Sequence, residues 1–328
     1  MKKKEDIYNE KYELLNKNLT LSKIKIYNFA SSGKEIKLTS KKENLIKKVK
    51  DNFLLNIPKN FNDNLYLEFC PKKNSFFYLK IIQNENSKCN LIIKIEGKQK
   101  ILFCFLDVLL KNRSLMNFFS ENSISSNSLM YSKKKFYIGN KSTINFFQNF
   151  FSFKKIFSET IFFHKEFNAS SNINEIFLSN KSNFESKIFS YHLSNETNSN
   201  ILIKGILKNS KSHISGLIDI SKNSKNSNAY QKIENILLDE FSKAISIPNL
   251  KIKNNKVSCT HGASTFSLDK EKLFYIMSRG ISEKKAKKEI MKSFFLEIIK
   301  KIDDEKIRDY FYSKIDKRIN YLVNNGEI

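Results

Sequence analysis

Short runs of apolar residues recur along most of the chain, separated by Asn, Ser and Lys. Leu65–Cys70, Phe76–Ile82, Asn90–Ile95 and Lys100–Phe105 form a first set, divided by Pro71-Lys-Lys-Asn74, Asn84-Glu-Asn-Ser87 and Glu96-Gly97. Runs of this length between turn-forming residues predict strands. From Phe136 to about Ser267 the rhythm is sustained through Thr160–Phe163, Glu175–Leu178, Lys187–Tyr191, Asn200–Leu207, His213–Ile220, Ile233–Leu238, Ile245–Ile252 and Lys256–Cys259. Phe118–Ser132, rich in Ser and Asn, reads as a loop or coil connection between the two sets. Similar spacing, few glycines and no helical period suit a sandwich, a barrel or a parallel β-solenoid. No strict repeat is visible, so periodicity alone leaves those three open.

The ends follow a different period. Leu14, Leu15 and Leu19 make a short apolar stripe, and Leu45, Ile46 and Val49 give one face to residues 40–50. Met1 to about Asp51 is therefore expected to be partly helical, with a turn at Ser31-Ser32-Gly33. Near the other end, Ala286, Ile290, Phe294, Ile298 and Ile302 fall every four residues. Met291, Phe295 and Ile299 widen that stripe, and lysines fill much of the remaining surface, as on an amphipathic helix. Asp303-Asp304 is placed to cap a final helix carrying Ile307, Tyr310, Phe311, Ile315, Ile319 and Leu322 and ending near Gly326. The pattern divides the chain into a partly helical segment over 1–52, a β-rich region over 53–267 and a helical subdomain over 268–328.

Where the strands give way to helices, Val257–Ile281 is the stretch densest in residues with specific chemistry. Cys259 and His261 are two apart, so in an extended segment they share a face. Thiolate and neutral imidazole both suit iron or zinc. A core cysteine beside a histidine bonded to a carbonyl fits the same pair, and the residues alone leave both readings open. Asp269 is expected to cap a helix, with Leu268 and Leu273 spaced for a hydrophobic staple; Lys272 stands where a capping box needs Glu or Gln. Phe274, Met277 and Ile281 recur at helical spacing. Gly280 suits a left-handed helix end, and Ser282-Glu283 begins the next helix.

Composition changes this picture little. The formal net charge is +25, yet only four of the 58 basic residues are Arg, and the 54 Lys are spread along the whole chain. Dedicated nucleic-acid surfaces cluster charge and use Arg forks. The Lys, Asn, Ile and Phe excess reads instead as AT-rich codon drift in a reduced bacterial or organellar genome, with the charge on a solvated surface. No specific nucleic-acid partner is expected. The most apolar run, Ile101–Leu110, carries Asp107 and is too short to span a bilayer. Met1-Lys-Lys-Lys4 is followed by Glu5-Asp6, so neither a secretory signal nor a membrane partner is expected. Cys70, Cys89, Cys104 and Cys259 lack zinc-finger spacing and disulfide density, which points to a reducing compartment: the cytoplasm, or an organellar stroma. His164, His192 and His213 lie in strand-rich segments without metal spacing and read as structural or surface residues, with His192 the one alternative second ligand. Gly205 and Gly216 suit tight packing or turns. There is no P-loop, no dinucleotide fingerprint and no trustworthy catalytic triad.

Cys259-Thr-His-Gly-Ala-Ser264, followed by Leu268-Asp-Lys-Glu-Lys-Leu-Phe-Tyr-Ile-Met-Ser-Arg-Gly-Ile-Ser-Glu283, resembles the C-terminal signature of the SufB/SufD family, the scaffold subunits of SUF iron–sulfur cluster assembly. The likeness extends upstream through Ala229-Tyr-Gln231, Asn235-Ile-Leu-Leu-Asp239 and Ile247-Pro-Asn-Leu-Lys-Ile252, and is clear from about Ile201 to Ile302. Gly262 after His261 matches the SufD pattern, whereas SufB members carry His-Glu-Ala there. The resemblance implies a right-handed parallel β-helix core with a helical N-terminal segment and an α-helical C-terminal subdomain. It also implies a non-catalytic scaffold that pairs with a SufB-like subunit and with a SufC-like ATPase, which hydrolyses the ATP. On the same ground His261 is the candidate ligand for transient iron or a nascent cluster at the subunit interface, with Cys259 auxiliary to it or buried. Phe274, Tyr275, Arg279 and Ile281 are candidates for docking the ATPase. No tightly bound cofactor is expected. Two alternatives stand beside this reading: a structural interaction subunit without metal chemistry, and a SufB-type or homodimeric scaffold. A basic RNA-binding protein comes third.

Overall fold

One corner of the molecule is turned, coil after coil, by a residue in the left-handed backbone region. The computed structural model describes residues 24–27, 45–49, 52–69, 75–97, 101–151, 153–268 and 270–324. Within it Asn60, Asn86, Arg113, Lys141, Asn168, Glu196 and Asn226 have φ of 52–59°. Asn tolerates this region better than other side-chain-bearing residues, which lets the chain turn often with few glycines. Each of these seven N–H groups donates to a carbonyl one coil further on, Asn60 to Glu85 and so on to Asn226 with Lys256, at 2.8–3.2 Å. Ser87, Ser114, Ser142, Ala169, Thr197 and Ser227 follow the turn residue in six of the seven cases, and all are buried inside the corner. There Ser114 N–H donates to Ser142 Oγ at 3.0 Å and Thr197 N–H to Ser227 Oγ at 3.2 Å.

Between corners the chain runs straight and alternates between two nine-stranded sheets. The first sheet holds β1 (Ile24–Tyr27), β4 (Asn62–Phe69), β6 (Lys88–Gly97), β8 (Leu115–Ile124), β10 (Thr143–Phe151), β12 (Ser170–Asn180), β14 (Asn198–Lys208), β16 (Asn228–Leu237) and β18 (Ser258–Ser267), in that spatial order. The second runs from β2 (Ile46–Val49) through β3 (Asn52–Ile57), β5 (Ser75–Gln83), β7 (Ile101–Leu110), β9 (Leu129–Ile138), β11 (Lys155–His164), β13 (Asn183–His192) and β15 (Lys211–Ile220) to β17 (Lys243–Ile252). Pairing is parallel throughout except β1 with β4 and β2 with β3. This is the parallel β-solenoid, not the sandwich or barrel.

Side chains at alternate positions point into the lumen and stack in rows. One row reads Leu65, Leu91, Phe118, Phe146, Ile173, Ile201, Gln231, His261. Its first six members are fully buried, each contributing on the order of 1.5–3 kcal/mol. A second apolar layer lies outside the first sheet, where Tyr66, Ile92, Phe119, Phe147, Ile176, Leu202 and Ile236 are covered by two helices. Of the helices α1 (Lys270–Ser278), α2 (Glu283–Ile299) and α3 (Glu305–Asn324), α2 and α3 supply the cover. Phe311 of α3 packs 4.7 Å from the Phe147 ring and 5.6 Å from Phe119. Tyr310 donates to buried Glu121, and Lys204 ties β14 to Glu297 of α2 while lying 4.4 Å over the Phe294 ring.

Two expectations are corrected. Of the stretch 40–50 expected to be helical, Ile46–Val49 is instead β2, paired antiparallel with β3. Four residues ending in β-branched Val fit a sheet edge with free backbone groups better than a helix too short to nucleate. Phe118–Ser132 is not a coil connection, since it contributes most of β8 and the start of β9. Its polar residues hide the alternation because they point into the lumen: buried Asn122 pairs with Asn149 and Ser120. At the other end Gly280 has φ +81° and closes α1 as expected, and Asp304 Oδ1 caps α3 by accepting from the N–H groups of Lys306 and Ile307. Ser282 occupies the N-cap of α2, but its side chain makes no capping bond. Leu14, Leu15, Leu19, Ser31–Gly33 and the Asp269 cap lie outside the described residues. No helix among the described residues is long and apolar enough to cross a membrane.

Candidate functional site at the open end of the solenoid

The last coil is built from β17 and β18, and among the described residues no further strand pairs with either. Interior strands alternate between buried and half-buried positions; these two do not. Ile245, Ile247 and Phe266 are exposed, and so is nearly every residue of β18. Their outer edges present a full row of backbone N–H and C=O groups that invites another strand.

Cys259 and His261 lie on the lumen-facing side of β18. Cys259 stacks on Ala229 of the preceding coil and His261 on Gln231. Cys259 is half-buried against the lumen core, and that burial pushes its thiol pKa up, away from the nucleophilic thiolate. His261 is exposed at the mouth of the lumen. The strand thus presents an imidazole and a thiol side by side on one accessible face. No group of three His, Cys, Asp or Glu side chains among the described residues is arranged to hold a metal ion. Four ligands are the norm for a closed thiolate–imidazole site, so the described residues hold at most part of such a set, and water or further ligands would fill the rest.

His192 is not brought to that mouth. It ends β13 on the other sheet, fully buried, with Nδ1 2.8 Å from Thr197 Oγ1 and Nε2 2.8 Å from Ser199 Oγ. Its ring stacks on His164 at 4.6 Å, and His164 Nε2 pairs with Ser171 at 2.8 Å. Burial drives both imidazoles toward the neutral form, His164 down to about 4. His213 is half-buried on the outer face of β15.

The other candidate residues follow β18 directly. Phe274 is 73% exposed and Tyr275 59% exposed on α1. Arg279 donates from Nη2 to Tyr275 Oη at 3.0 Å, its guanidinium 5.1 Å from that ring centre. Ile281 is half-buried at the α1–α2 link. Aromatic side chains on a helix normally turn inward, so α1 presents an apolar surface with a cation at its edge.

Sequence reasoning missed a polar chain inside the lumen. Fully buried Lys134 donates to Ser132 Oγ at 2.7 Å and Gln148 Oε1 at 3.1 Å, and Gln148 donates to Glu175. Burial lowers the Lys134 ammonium pKa, raises the Glu175 carboxyl to about 7 and raises Cys104 to about 12. The available signal was the 27-residue separation of Gln148 and Glu175, one coil apart. It has no meaning until the coil length is known.

The family described as "SUF system FeS cluster assembly, SufBD core domain" matches residues 71–294. An iron–sulfur cluster assembly protein SufD of Plasmodium falciparum (isolate 3D7) is 40% identical over 85 residues, covering 26% of this chain and 6% of the relative. A SufBD family iron–sulfur cluster assembly protein of Mycobacterium tuberculosis (strain ATCC 25618 / H37Rv) is 30% identical over 146 residues, 41% of this chain and 36% of the relative. The SufD of Escherichia coli (strain K12) is 28% identical over 104 residues, 32% of this chain and 25% of the relative. The matched part spans well under half the length of each.

Proposed function

This chain belongs to the SufBD core family of the SUF iron–sulfur cluster assembly system and is most like SufD, and we propose from that premise that it is a non-catalytic scaffold subunit whose last coil pairs with a SufB-like partner. The observation that carries the proposal is the open end itself. Among the described residues no strand covers the outer edges of β17 and β18, and His261 stands exposed at the lumen mouth beside Cys259. A partner that adds strands to these edges would bring its own ligands to His261, completing a site that this chain holds only in part. Iron or a nascent cluster is then cargo, and an imidazole-rich site releases cargo more readily than a set of thiolates would.

Exposed Phe274 and Tyr275, with Arg279 and Ile281, support α1 as the place where a SufC-like ATPase docks. Because α1 follows β18 within a few residues, movement of α1 driven by ATP hydrolysis in that partner would be felt at the cargo site. A second reading, a structural subunit without metal chemistry, is favoured by the thiol pKa of Cys259, which burial raises, and by the single exposed histidine.

The test is anaerobic co-purification of the full chain with the SufB-like and SufC-like proteins of its organism, followed by iron and sulfide analysis. A stable complex is expected, with cluster content at least ~10-fold lower for His261→Ala. A stable complex indifferent to that substitution selects the structural reading, and no complex defeats the partner assignment. Phe274→Ala with Tyr275→Ala is expected to release the ATPase alone.

A further inference from the structure

The lumen row that ends in His261 changes character one residue earlier. Six apolar side chains from Leu65 to Ile201 are followed by Gln231, and only then by His261. Gln231 is fully buried, and neither Oε1 nor Nε2 of its carboxamide has a hydrogen-bond partner. A buried amide left in that state costs roughly 1–3 kcal/mol. Space has nevertheless been made for it. Across the lumen stands Gly216, where a Cβ would lie 2.3 Å from Gln231 Nε2, so any larger residue at 216 would displace the carboxamide.

The histidine above has the complementary need, for no hydrogen bond holds its ring among the described residues. Side chains one coil apart in this molecule routinely reach each other. On the outer face Asn90 donates to Asn64 at 2.8 Å, Asn117 to Asn90 at 2.6 Å and Asn145 to Asn117 at 2.7 Å. Inside, His164 and His192 stack at 4.6 Å. Gln231 and His261 are register partners in the same sense. Metal-ligating imidazoles almost always donate their other N–H to an acceptor that fixes tautomer and orientation.

We propose that Gln231 is the positioning residue for His261: its Oε1 accepts the N–H of one ring nitrogen, so that the other nitrogen turns its lone pair out of the lumen toward arriving metal. Gly216 is part of the same device, holding room for the carboxamide. The inference rests on the reading of His261 as a ligand and adds what orients it.

The experiment uses the full chain, labelled with 15N-histidine and titrated anaerobically with Zn(II) as a diamagnetic probe that accepts N and S ligands. The His261 signals are assigned by their loss in His261→Ala. Wild type is expected to show one ring tautomer on Zn(II) binding. Gln231→Met, close in length and shape but without the amide, is expected to show mixed tautomers and an affinity ~10–100-fold weaker. In the His261→Ala background the same change is expected to have no further effect. If Gln231→Met does not fold, Gln231→Asn keeps the amide but withdraws it by one methylene, and the same loss is expected. Unchanged affinity and tautomer in either variant, with His261→Ala impaired, overturns the positioning role and leaves the ligand reading intact. An equal loss with and without His261 overturns it too. Zn(II) binding indifferent to His261→Ala defeats the ligand reading instead.

Discussion

His192 and His261 are the same residue at lumen-facing positions of the same solenoid, and their surroundings give them opposite roles. His192 is sealed between coils, with Ser190, Thr197 and Ser199 around its nitrogens and the His164 ring against its face. His261 stands on the last coil, with no described strand stacked beyond it. In a solenoid each coil contacts only its neighbours, so position along the axis decides whether an inward side chain becomes core or interface. A histidine here is a fastening in the middle of the stack and an exposed imidazole at its end.

The largest test of this contrast is stability. His192→Ala removes a buried ring and takes the bond from Ser199 Oγ, and is expected to cost about 2–4 kcal/mol in denaturant unfolding. His261→Ala is expected to stay within about 0.5 kcal/mol. Equal losses would erase the distinction between interior and mouth.

Acid gives a smaller and more discriminating signal. Unfolded His164 takes a proton near pH 6.5, whereas in the fold burial holds it off until about 4. The stability contributed by the neutral ring is therefore full above pH 6.5 and is lost as pH falls through 4, at about 1.4 kcal/mol per pH unit of separation. His192 acts in the same direction. Glu175 opposes them: burial keeps its proton on up to about 7 instead of 4.5, so its contribution is present at low pH and lost as pH rises through 7. Glu175→Gln removes the opposing slope. Its unfolding free energy, followed by denaturant melts at stepped pH, is expected to fall more steeply than wild type between pH 6.5 and 4. A curve parallel to wild type would mean that Glu175 is not held protonated in the fold, and a flat curve for the variant would mean that the lumen histidines are not held neutral.

The smallest effect is chemical. Cys259 is half-buried at the mouth, whereas Cys89 and Cys104 are sealed inside. Alkylation of the native protein, read by peptide mapping so that Cys70 is scored separately, is expected to reach Cys259 slowly, because its thiol pKa is raised, and the two interior thiols only on unfolding. Labelling of Cys104 at the rate of Cys259 would show that the lumen opens locally.

What could be read in advance followed from local chemistry. Gly280, the Asp304 cap and the apolar stripe of α2 each depend on neighbours within a turn, and all were legible. So was the pairing of Cys259 with His261, which needs only an extended backbone. Residues whose meaning depends on stacking were not. Gln231 looks ordinary until β16 is laid under β18, and the tight packing that Gly216 suits has no named neighbour until Gln231 is seen across the lumen from it. The coil repeat was hidden because its marker is a backbone angle at Asn60, Asn86, Arg113, Lys141, Asn168, Glu196 and Asn226, shared by four residue types with no common sequence word. Ser120 and Asn122 misled for the same reason: polar side chains inside a lumen imitate a loop.

The helical cover of the first sheet carries a consequence for biosynthesis. Glu121 and the Phe119 beside it wait for Tyr310 and Phe311, and the Glu121–Tyr310 contact spans 189 residues. At roughly 5–20 residues per second a ribosome leaves that apolar face bare for about 10–40 s. Tyr66, Ile92, Phe119 and Phe147 emerge long before α2 and α3 exist to cover them. The nascent chain is therefore exposed to aggregation for most of its synthesis, and a chaperone that shields flat apolar sheets would act on it before any assembly partner could.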